Sequence, residues 1–343
     1  MIDRRMFIGA TGAFLASLPM GHAAAAAIVP RKLARVIIDN DFAGDPDGLF
    51  QLAHHVLCRS VDIPLIIGSH LPTSFSSGHD ASDGAARARE LLKIMKLDAA
   101  HGPIAGSETA MRSRTSWSAG AASAAIVREA MRADASEPLI YAAGAGLTDL
   151  ALAWLSEPRI GKRLKLIWIG GNEHAGLANP IPGPGEVEFN LSIDPIAAQV
   201  IFNESDIEIW QVPRDAYRQM LFSNTELDEL AASGALGVYL KTRVDAMAEM
   251  LANIPGGPAV SASETYVLGD SPLVTLSALV SPVLPDPSSC KYRAMPTPRL
   301  LENGTYATRT NARPMRIYTD IDAGLTFRDM LAKFRTLNLG AVR

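Results

Sequence analysis

The stretch RVIIDNDFAGDPDGLFQLAHHVL, residues 35–57, decides the fold class of this chain. It opens with the continuous apolar run Val36-Ile37-Ile38, which is typical of a strand buried on both faces. It ends with apolar residues at helical spacing between Leu49 and Leu57. A short loop that carries four aspartates joins the two. A buried strand followed at once by a helix is the repeating unit of a parallel α/β sheet.

The same alternation continues along the chain. Strands are predicted at residues 63–67, 103–105, 139–143, 164–169, 207–212 and 315–318, and helices at residues 85–95, 121–131 and 147–155, from residue 195 and over most of 224–279. The pattern predicts an α/β fold with a Rossmann-like, mostly parallel central sheet and helices on both faces. No clear linker interrupts it, so residues 28–343 are interpreted as a single domain. In such sheets, ligands bind beyond the carboxyl ends of the strands.

The composition excludes several classes of protein. The chain has 343 residues, of which 48% are hydrophobic and 20% charged, and this rules out a wholly disordered protein. Lys and Arg total 32 against 36 Asp and Glu, for a net charge of −4. A balance of this kind gives no electrostatic footprint for nucleic acid, so no nucleic-acid partner is expected.

Residues 1–27 have the three parts of a secretory signal. The pair Arg4-Arg5 precedes a mostly apolar stretch at residues 9–19, and an alanine-rich stretch follows at residues 23–27. The paired arginines resemble a twin-arginine signal. A single N-terminal anchor is the alternative, although the apolar stretch is short for a span of about 20 residues. We therefore expect a periplasmic or secreted protein that has no membrane contact once the signal is cleaved.

The chain has two cysteines, Cys58 and Cys290. Cys58 follows an apolar helical pattern, so a buried free thiol is favoured over a disulfide. Neither cysteine has the sequence spacing of a zinc site.

The acidic loop indicates a metal site. Four carboxylates fall within nine residues at the end of the first strand: Asp39, Asp41, Asp45 and Asp47. Like charges at such spacing repel one another unless a cation shares them, and hard cations such as Ca²⁺ take several aspartate oxygens.

Three other interpretations of the acidic loop compete with a nonspecific metal site. An EF-hand fails, because setting Gly48 at its invariant glycine places Ala43 at the first ligand position and His54 where a glutamate is needed. A phosphatase of the haloacid dehalogenase type also carries Asp-x-Asp after a first strand, as Asp39-Asn40-Asp41 does here. Helix capping would require one aspartate rather than four.

The segment from Asp39 to Asp47 resembles the N-terminal Asp-Thr-Asp-Pro-Gly-x-Asp-Asp signature of the nucleoside hydrolases. Later segments resemble further motifs of that family in the same order. They are Gly146-Leu147-Thr148-Asp149, Glu157-Pro158-Arg159-Ile160, Ile169-Gly170-Gly171, Glu188-Phe189-Asn190 with Ile193-Asp194-Pro195, and Gly269-Asp270-Ser271-Pro272. The resemblance covers most of the chain after residue 35 and implies the nucleoside hydrolase fold.

The resemblance implies a Ca²⁺-dependent enzyme that hydrolyses the N-glycosidic bond of ribonucleosides to free base and ribose. Asp41 matches a calcium ligand that also acts as general base on the attacking water. The full set of implied calcium ligands is the side chains of Asp39, Asp41, Asp45, Asp47 and Asp270 and the main-chain carbonyl of Gly144. The residues implied to bind the substrate are Asp45, Asn172, Glu188 and Asn190. Because family members are often dimers or tetramers, a homodimer or homotetramer is expected.

Two departures from the family pattern bear on the chemistry. Pro46 separates Asp45 from Asp47, where the family has adjacent aspartates. Either Asp47 takes the place of the second aspartate through a one-residue bulge, or the site is altered. Gly269 stands where the family has the histidine that protonates the leaving base. Three other histidines are candidates for that acid: His70, His79 and His174.

Two aromatic residues, Trp117 and Tyr266, are candidates to stack on a base. Two further functions remain open at this point. One is a non-catalytic binder of nucleosides or ribose on the same scaffold. The other is a phosphatase with Asp39 as nucleophile.

Overall fold

The computed structural model describes residues 32–177, 186–254, 263–281, 283 and 288–338. The predicted signal at residues 1–27 and the whole Pro/Gly-rich stretch at residues 179–185 lie outside the described residues. The strands are β1 (Ala34–Asn40), β2 (Val61–Gly68), β3 (Ile104–Ala105), β4 (Leu139–Gly144), β5 (Leu164–Ile169), β6 (Glu208–Val212), β7 (Leu221–Ser223), β8 (Thr265–Val267), β9 (Lys291–Pro296), β10 (Arg299–Leu300), β11 (Tyr306–Ala307) and β12 (Pro314–Asp320).

The helices cover most of the segments between these strands. They are α1 (Asp47–Val56), α2 (Asp80–Ile94), α3 (Ala121–Ala130), α4 (Thr148–Ser156), α5 (Phe189–Ile193), α6 (Pro195–Asn203), α7 (Arg214–Tyr217), α8 (Asn224–Ser233), α9 (Ala235–Ala252), α10 (Pro272–Ser277) and α11 (Ala323–Asn338), with a 3₁₀ helix at Pro158–Lys162. Among the described residues, no helix combines the length and the apolar character that a membrane span requires.

The central sheet has eight strands in the order β3-β2-β1-β4-β5-β6-β12-β9. Every neighbouring pair is parallel except β12 and β9. From β1, the next two strands, β2 and β3, lie successively toward one edge of the sheet. The chain then crosses back, and β4, β5 and β6 lie successively toward the other edge. The strand order therefore reverses between β1 and β4, and a crevice opens at such a point beyond the carboxyl ends of the strands.

Helices cover both faces of the sheet, as β1 illustrates. Val36 and Ile38 join the apolar core on one face, together with Phe50 of α1. Ile37 points to the opposite face and joins the second core, together with Leu150 of α4. Successive side chains of a strand alternate between faces, so an all-apolar strand requires a core on each side. The predicted α/β class and parallel sheet are confirmed.

The structure differs from the sequence prediction in its last third. The segment predicted as mostly helical, residues 224–279, also contains β8, which pairs antiparallel with β7. The antiparallel strand β9 and the long helix α11 were not predicted. Cys58 and Cys290 are both buried and free, as expected.

Candidate active site

A cavity of about 170 Å³ lies where the strand order reverses. Asn40 at the end of β1 pairs with Gly144 at the end of β4, and the cavity lies next to this pair. Its lining includes five carboxylates, those of Asp41, Asp45, Asp47, Glu188 and Asp270. The structure thus brings together residues that lie up to 229 positions apart in the sequence, Asp41 and Asp270.

The carboxylates of this cavity repel one another. Burial, together with the charges of Asp270 and Asp45, raises the pKa of Asp41 well above its usual range. Burial and the charges of Asp45 and Glu188 raise the pKa of Asp270 to about 7. The hydrogen-bond donors that reach Asp45, Asp47 and Asp270 are neutral amides and a tyrosine hydroxyl. A bound cation would offset this negative charge.

Asp47 lies at the cavity together with Asp45 and Asp270. It is the first residue of α1, and its Oδ2 accepts a hydrogen bond of 3.1 Å from the backbone N–H of Asp270. Pro46 precedes it, and the backbone N–H of Asp47 donates to Asp45 Oδ1 at 3.1 Å. Both aspartates line the cavity despite the intervening proline.

Gly144 allows Asp270 to approach the end of β4 closely. A Cβ atom at position 144 would lie 2.6 Å from Asp270 Oδ2 and 2.4 Å from Asn40 Nδ2. These distances are shorter than van der Waals contact, so a side chain at this position would displace the pair. Asn40 Nδ2 donates to Asp270 Oδ2 at 2.8 Å and so fixes the carboxylate.

Asn40 begins a buried row of hydrogen bonds behind the site. Asn40 Nδ2 also donates to Gln51 Oε1 at 3.3 Å, and Gln51 Nε2 contacts His55 Nδ1. His55 Nε2 lies 2.7 Å from Ser277 Oγ, whose hydroxyl donates to the carbonyl of Leu273. Burial lowers the pKa of His55 well below its usual range, so the ring is neutral. Because Gln51 Nε2 donates to His55 Nδ1, the single ring proton of His55 lies on Nε2, which donates to Ser277 Oγ.

Asp39 lies apart from the cavity lining. It is fully buried, and its two carboxylate oxygens accept hydrogen bonds from Ser69 Oγ and from the hydroxyl of Tyr141. Burial and the nearby Asp149 raise its pKa to about 7. A nucleophile must be accessible to its substrate, so this environment argues against the phosphatase hypothesis.

Glu188 is the most heavily hydrogen-bonded carboxylate of the cavity. It caps α5 and accepts from the backbone N–H groups of Gly171, Asn190 and Leu191 at 2.7, 3.1 and 2.9 Å. A fourth donor is the hydroxyl of Tyr217, 2.9 Å from Glu188 Oε1. These donors fix the orientation of the carboxylate toward the cavity.

The two predicted asparagines have different surroundings. Asn190 lines the cavity, and its Nδ2 donates to the carbonyl of Ile169 at 2.9 Å. Asn172 does not line the cavity; its Oδ1 accepts from the backbone N–H of Glu188 at 2.7 Å. The structure therefore places Asn172 behind Glu188, where it holds the backbone of that residue.

Tyr217 is a cavity residue that sequence reasoning missed. Its ring lies beside Gly269, since a Cβ atom at position 269 would be 3.1 Å from Tyr217 Cδ2. The glycine that replaces the expected histidine thus leaves room for the tyrosine. That glycine was the one available signal, and it did not identify the residue that fills the space.

None of the three candidate histidines lines the cavity. His70 is buried and bonds to Thr148 Oγ1 and to the carbonyl of Leu71, each at 3.0 Å. His174 is buried, stacks on Tyr306 with ring centroids 4.0 Å apart, and bonds to Gln211. Burial lowers the pKa of His174, so it is neutral. His79 is exposed at the start of α2.

Aromatic residues lie at the mouth of the cavity. Phe189 lines it with 41% of the residue exposed, and its ring centroid is 5.8 Å from that of Phe75, which is 56% exposed. Tyr266, a predicted stacking residue, instead donates its hydroxyl to Asp45 at 3.0 Å. Trp117, the other candidate, lines a separate cavity of about 430 Å³.

The chemistry of the donor set fits a hard divalent cation. Carboxylate oxygens are the ligands that Ca²⁺ prefers, and the buried Oδ1 of Asn40 has no hydrogen-bond partner among the described residues. The described residues contain one group of three His, Cys, Asp or Glu side chains with all ligand atoms within 4.8 Å of one another. That group is His54, Cys58 and Asp329, outside the cavity. The carboxylates of the cavity form no such group among the described residues.

Comparisons with known proteins find similar sequences and a similar fold. A family model described as inosine-uridine preferring nucleoside hydrolase matches residues 49–326, beginning just after the acidic loop. A curated protein of the same description from Leishmania major is 48% identical over 61 residues, 18% of this chain and 18% of that protein. One from Crithidia fasciculata is 46% identical over 68 residues, 20% of this chain and 19% of that protein. The aligned segments thus span less than a fifth of these relatives' own length.

A solved structure of a plant nucleoside hydrolase is similar over nearly its whole length. The TM-score is 0.67 at 17% identity, over 89% of this chain and 99% of that chain. At this identity the similarity establishes the fold alone. The family match and the names of the relatives support the enzyme class expected from the sequence, an N-glycosidase.

Proposed function

The chain belongs to the family of inosine-uridine preferring nucleoside hydrolases, and we propose on that premise that it cleaves ribonucleosides to free base and ribose with Ca²⁺ in the acidic cavity. The observation that carries the proposal is the convergence of Asp41, Asp47 and Asp270 on one cavity at the reversal of strand order. The residues that would hold the ion are Asp41, Asp45, Asp47, Asp270 and the main-chain carbonyl of Gly144. When bound, the ion supplies positive charge that lowers the pKa of a neighbouring water.

Asp41 is the proton acceptor in this proposal. Its carboxylate lines the cavity among the residues that would hold the ion, where an aspartate can accept a proton from a water molecule within hydrogen-bond reach. It accepts the proton of the attacking water as the glycosidic bond breaks. The surrounding carboxylates stabilise the positive charge that develops on the sugar ring.

Glu188 and Asn190 bind the sugar hydroxyls. The Asn190 amide both donates and accepts hydrogen bonds, which suits a diol. The Glu188 carboxylate already accepts four protein hydrogen bonds, so a sugar hydroxyl would replace or share one of these donors. The base leaves toward the cavity mouth, where the exposed ring of Phe189 offers a stacking surface. No described histidine lines the cavity, so the leaving base takes its proton from a group other than His70, His79 or His174.

The test is base release from a panel of purine and pyrimidine nucleosides by the calcium-loaded protein. We expect both free base and reducing sugar, and a loss of at least about a hundredfold in kcat for Asp41→Asn. Asp215→Asn is the matched control, because Asp215 is buried but lies outside the cavity lining. Near wild-type kcat in Asp41→Asn would refute the assignment of the base.

A non-catalytic nucleoside binder is the second candidate, because Gly269 replaces the expected acid. Nucleoside binding with calcium retained and no release of base from any substrate would favour it. Export to the periplasm through the predicted signal, and assembly as a homodimer or homotetramer, are further parts of the proposal that need their own tests.

A further inference from the structure

A second cluster of titratable side chains lies along α1, away from the acidic cavity. It consists of His54, Cys58, Asp329 and Lys333, and we refer to it as the α1–α11 cluster. Asp47 begins α1 at the cavity, and His54 follows seven residues later, about 10 Å further along the helix axis. Asp329 and Lys333 lie one turn apart on α11.

The ligand atoms of this cluster converge. His54 Nε2 is 2.7 Å from Asp329 Oδ2, and the ligand atoms of His54, Cys58 and Asp329 all lie within 4.8 Å of one another. His54 is fully buried and Cys58 is 5% exposed. A neutral imidazole, a thiolate and a carboxylate are the three ligand types found in zinc sites. Their convergence was not visible in the sequence, because 271 positions separate Cys58 from Asp329.

The cluster already attracts a cation, the ammonium group of Lys333. Lys333 Nζ lies 3.1 Å from Cys58 Sγ and also contacts Asp329 Oδ2. The Lys333 side chain is 24% exposed. A long side chain at this exposure can withdraw into solvent without unfolding the helix that carries it.

We propose that the α1–α11 cluster is a second metal site, which takes Zn²⁺ or a similar thiophilic divalent cation through His54 Nε2, Cys58 Sγ and an Asp329 oxygen. On binding, the Cys58 thiol releases its proton to solvent and the Lys333 ammonium leaves the cluster. The thiolate and the carboxylate then carry two negative charges against the two positive charges of the ion. Water completes the four-coordinate shell.

The ligand types separate this site from the acidic cavity. Thiolate and imidazole ligands select zinc-like ions, whereas an all-oxygen set selects calcium. A bound ion would join α1 to α11 across 275 sequence positions, from His54 to Asp329. The inference is independent of the hydrolytic activity, since none of the four residues lines the acidic cavity.

Cobalt is the probe, because Co²⁺ takes zinc sites and a thiolate ligand gives a sulfur-to-cobalt absorption band in the near ultraviolet. The purified full chain is freed of metal with a chelator, supplied with excess Ca²⁺ to fill the oxygen-rich cavity, and titrated with Co²⁺. We expect the sulfur band at one equivalent and its loss on addition of Zn²⁺. Lys333→Met should bind Co²⁺ about fivefold more tightly, because the ion pair with Asp329 no longer competes.

Cys58→Ser should abolish the band, and Cys290→Ser is the matched control that keeps it, since Cys290 is also buried and free. Asp329→Asn retains the thiol and should weaken Co²⁺ binding, which keeps the test valid if Cys58→Ser fails to fold. Circular dichroism checks the fold of each variant. A folded wild-type protein without the band, a band in Lys333→Met alone, or a band that survives Cys58→Ser would overturn the proposal.

Discussion

Gly144→Ala tests whether the close approach of Asp270 to β4 matters for ion binding. The added methyl group would lie 2.4 Å from Asn40 Nδ2 and 2.6 Å from Asp270 Oδ2. A carbon atom and a non-bonded nitrogen or oxygen need a separation of roughly 3.4 Å. The side chains of Asn40 and Asp270 must therefore move by about 1 Å. Gly144 does not have a positive φ angle, so alanine introduces no backbone strain and the effect is steric.

The expected loss of stability follows from these contacts. Overpacking a buried site costs about 1–3 kcal/mol, and a weakened hydrogen bond to a carboxylate costs about 1.5 kcal/mol. Replacing glycine by alanine also stabilises the folded protein by about 0.5–1 kcal/mol, because the unfolded chain has less conformational entropy to lose. We therefore expect the free energy of unfolding to fall by about 2 kcal/mol. Because Asn40 no longer positions Asp270, calcium affinity should fall by about tenfold or more.

Urea denaturation without calcium measures the first effect, and calcium titration calorimetry measures the second. Gly102→Ala is the matched control, because a Cβ atom there meets nothing within 4 Å. The control should leave both quantities nearly unchanged. If Gly144→Ala binds calcium as tightly as Gly102→Ala does, the assignment of Asp270 as an ion ligand held by Asn40 is wrong.

Three further predictions follow from described contacts and the predicted signal. Tyr217→Phe removes one donor from Glu188, so we expect a loss of about 1–2 kcal/mol in urea denaturation and a higher KM for nucleosides; an unchanged KM would exclude a role in orienting Glu188. Arg35→Met removes one of the two arginine partners of the half-buried Glu129 and leaves Arg132 at 3.2 Å, so the free energy of unfolding should fall by about 2 kcal/mol; thermal denaturation with no shift would contradict this. Changing residues 4 and 5 to lysine should retain the protein in the cytoplasm, which cell fractionation would detect; continued export would exclude a twin-arginine signal.

The first half of the fold could be predicted chiefly because β1, β4 and β5 are buried on both faces. Val36-Ile37-Ile38 is apolar without alternation, and β4 and β5 have the same character. The antiparallel strand β9 was missed because it lies at the edge of the sheet and is largely exposed, so its sequence lacks a continuous apolar run. The three-residue strand β8 is too short to give any periodic signal.

Residue type and strand position account for part of the cavity lining. Asp41 follows β1 and Asp47 begins the next helix, so strand position alone brings both to the cavity. Asp270 follows β8, outside the parallel sheet, and its approach to the cavity was implied by the family resemblance alone. Tyr217 was missed because its position depends on the missing side chain of Gly269, a contact that no local pattern encodes. His70 follows a strand as expected, yet its ring bonds to Thr148 rather than entering the cavity.

The row from Asn40 through Gln51 to His55 and Ser277 has a consequence for the acidity of the cavity. Asn40 Nδ2 donates both to Asp270 and to Gln51, and the donors beyond it point away from Asp270. Two of the four members are amides, which do not pass protons on. The row therefore holds Asp270 in place but gives protons no route between Asp270 and His55. Proton exchange at Asp270 must pass through the cavity mouth, so its rate depends on what fills the cavity rather than on the protein interior.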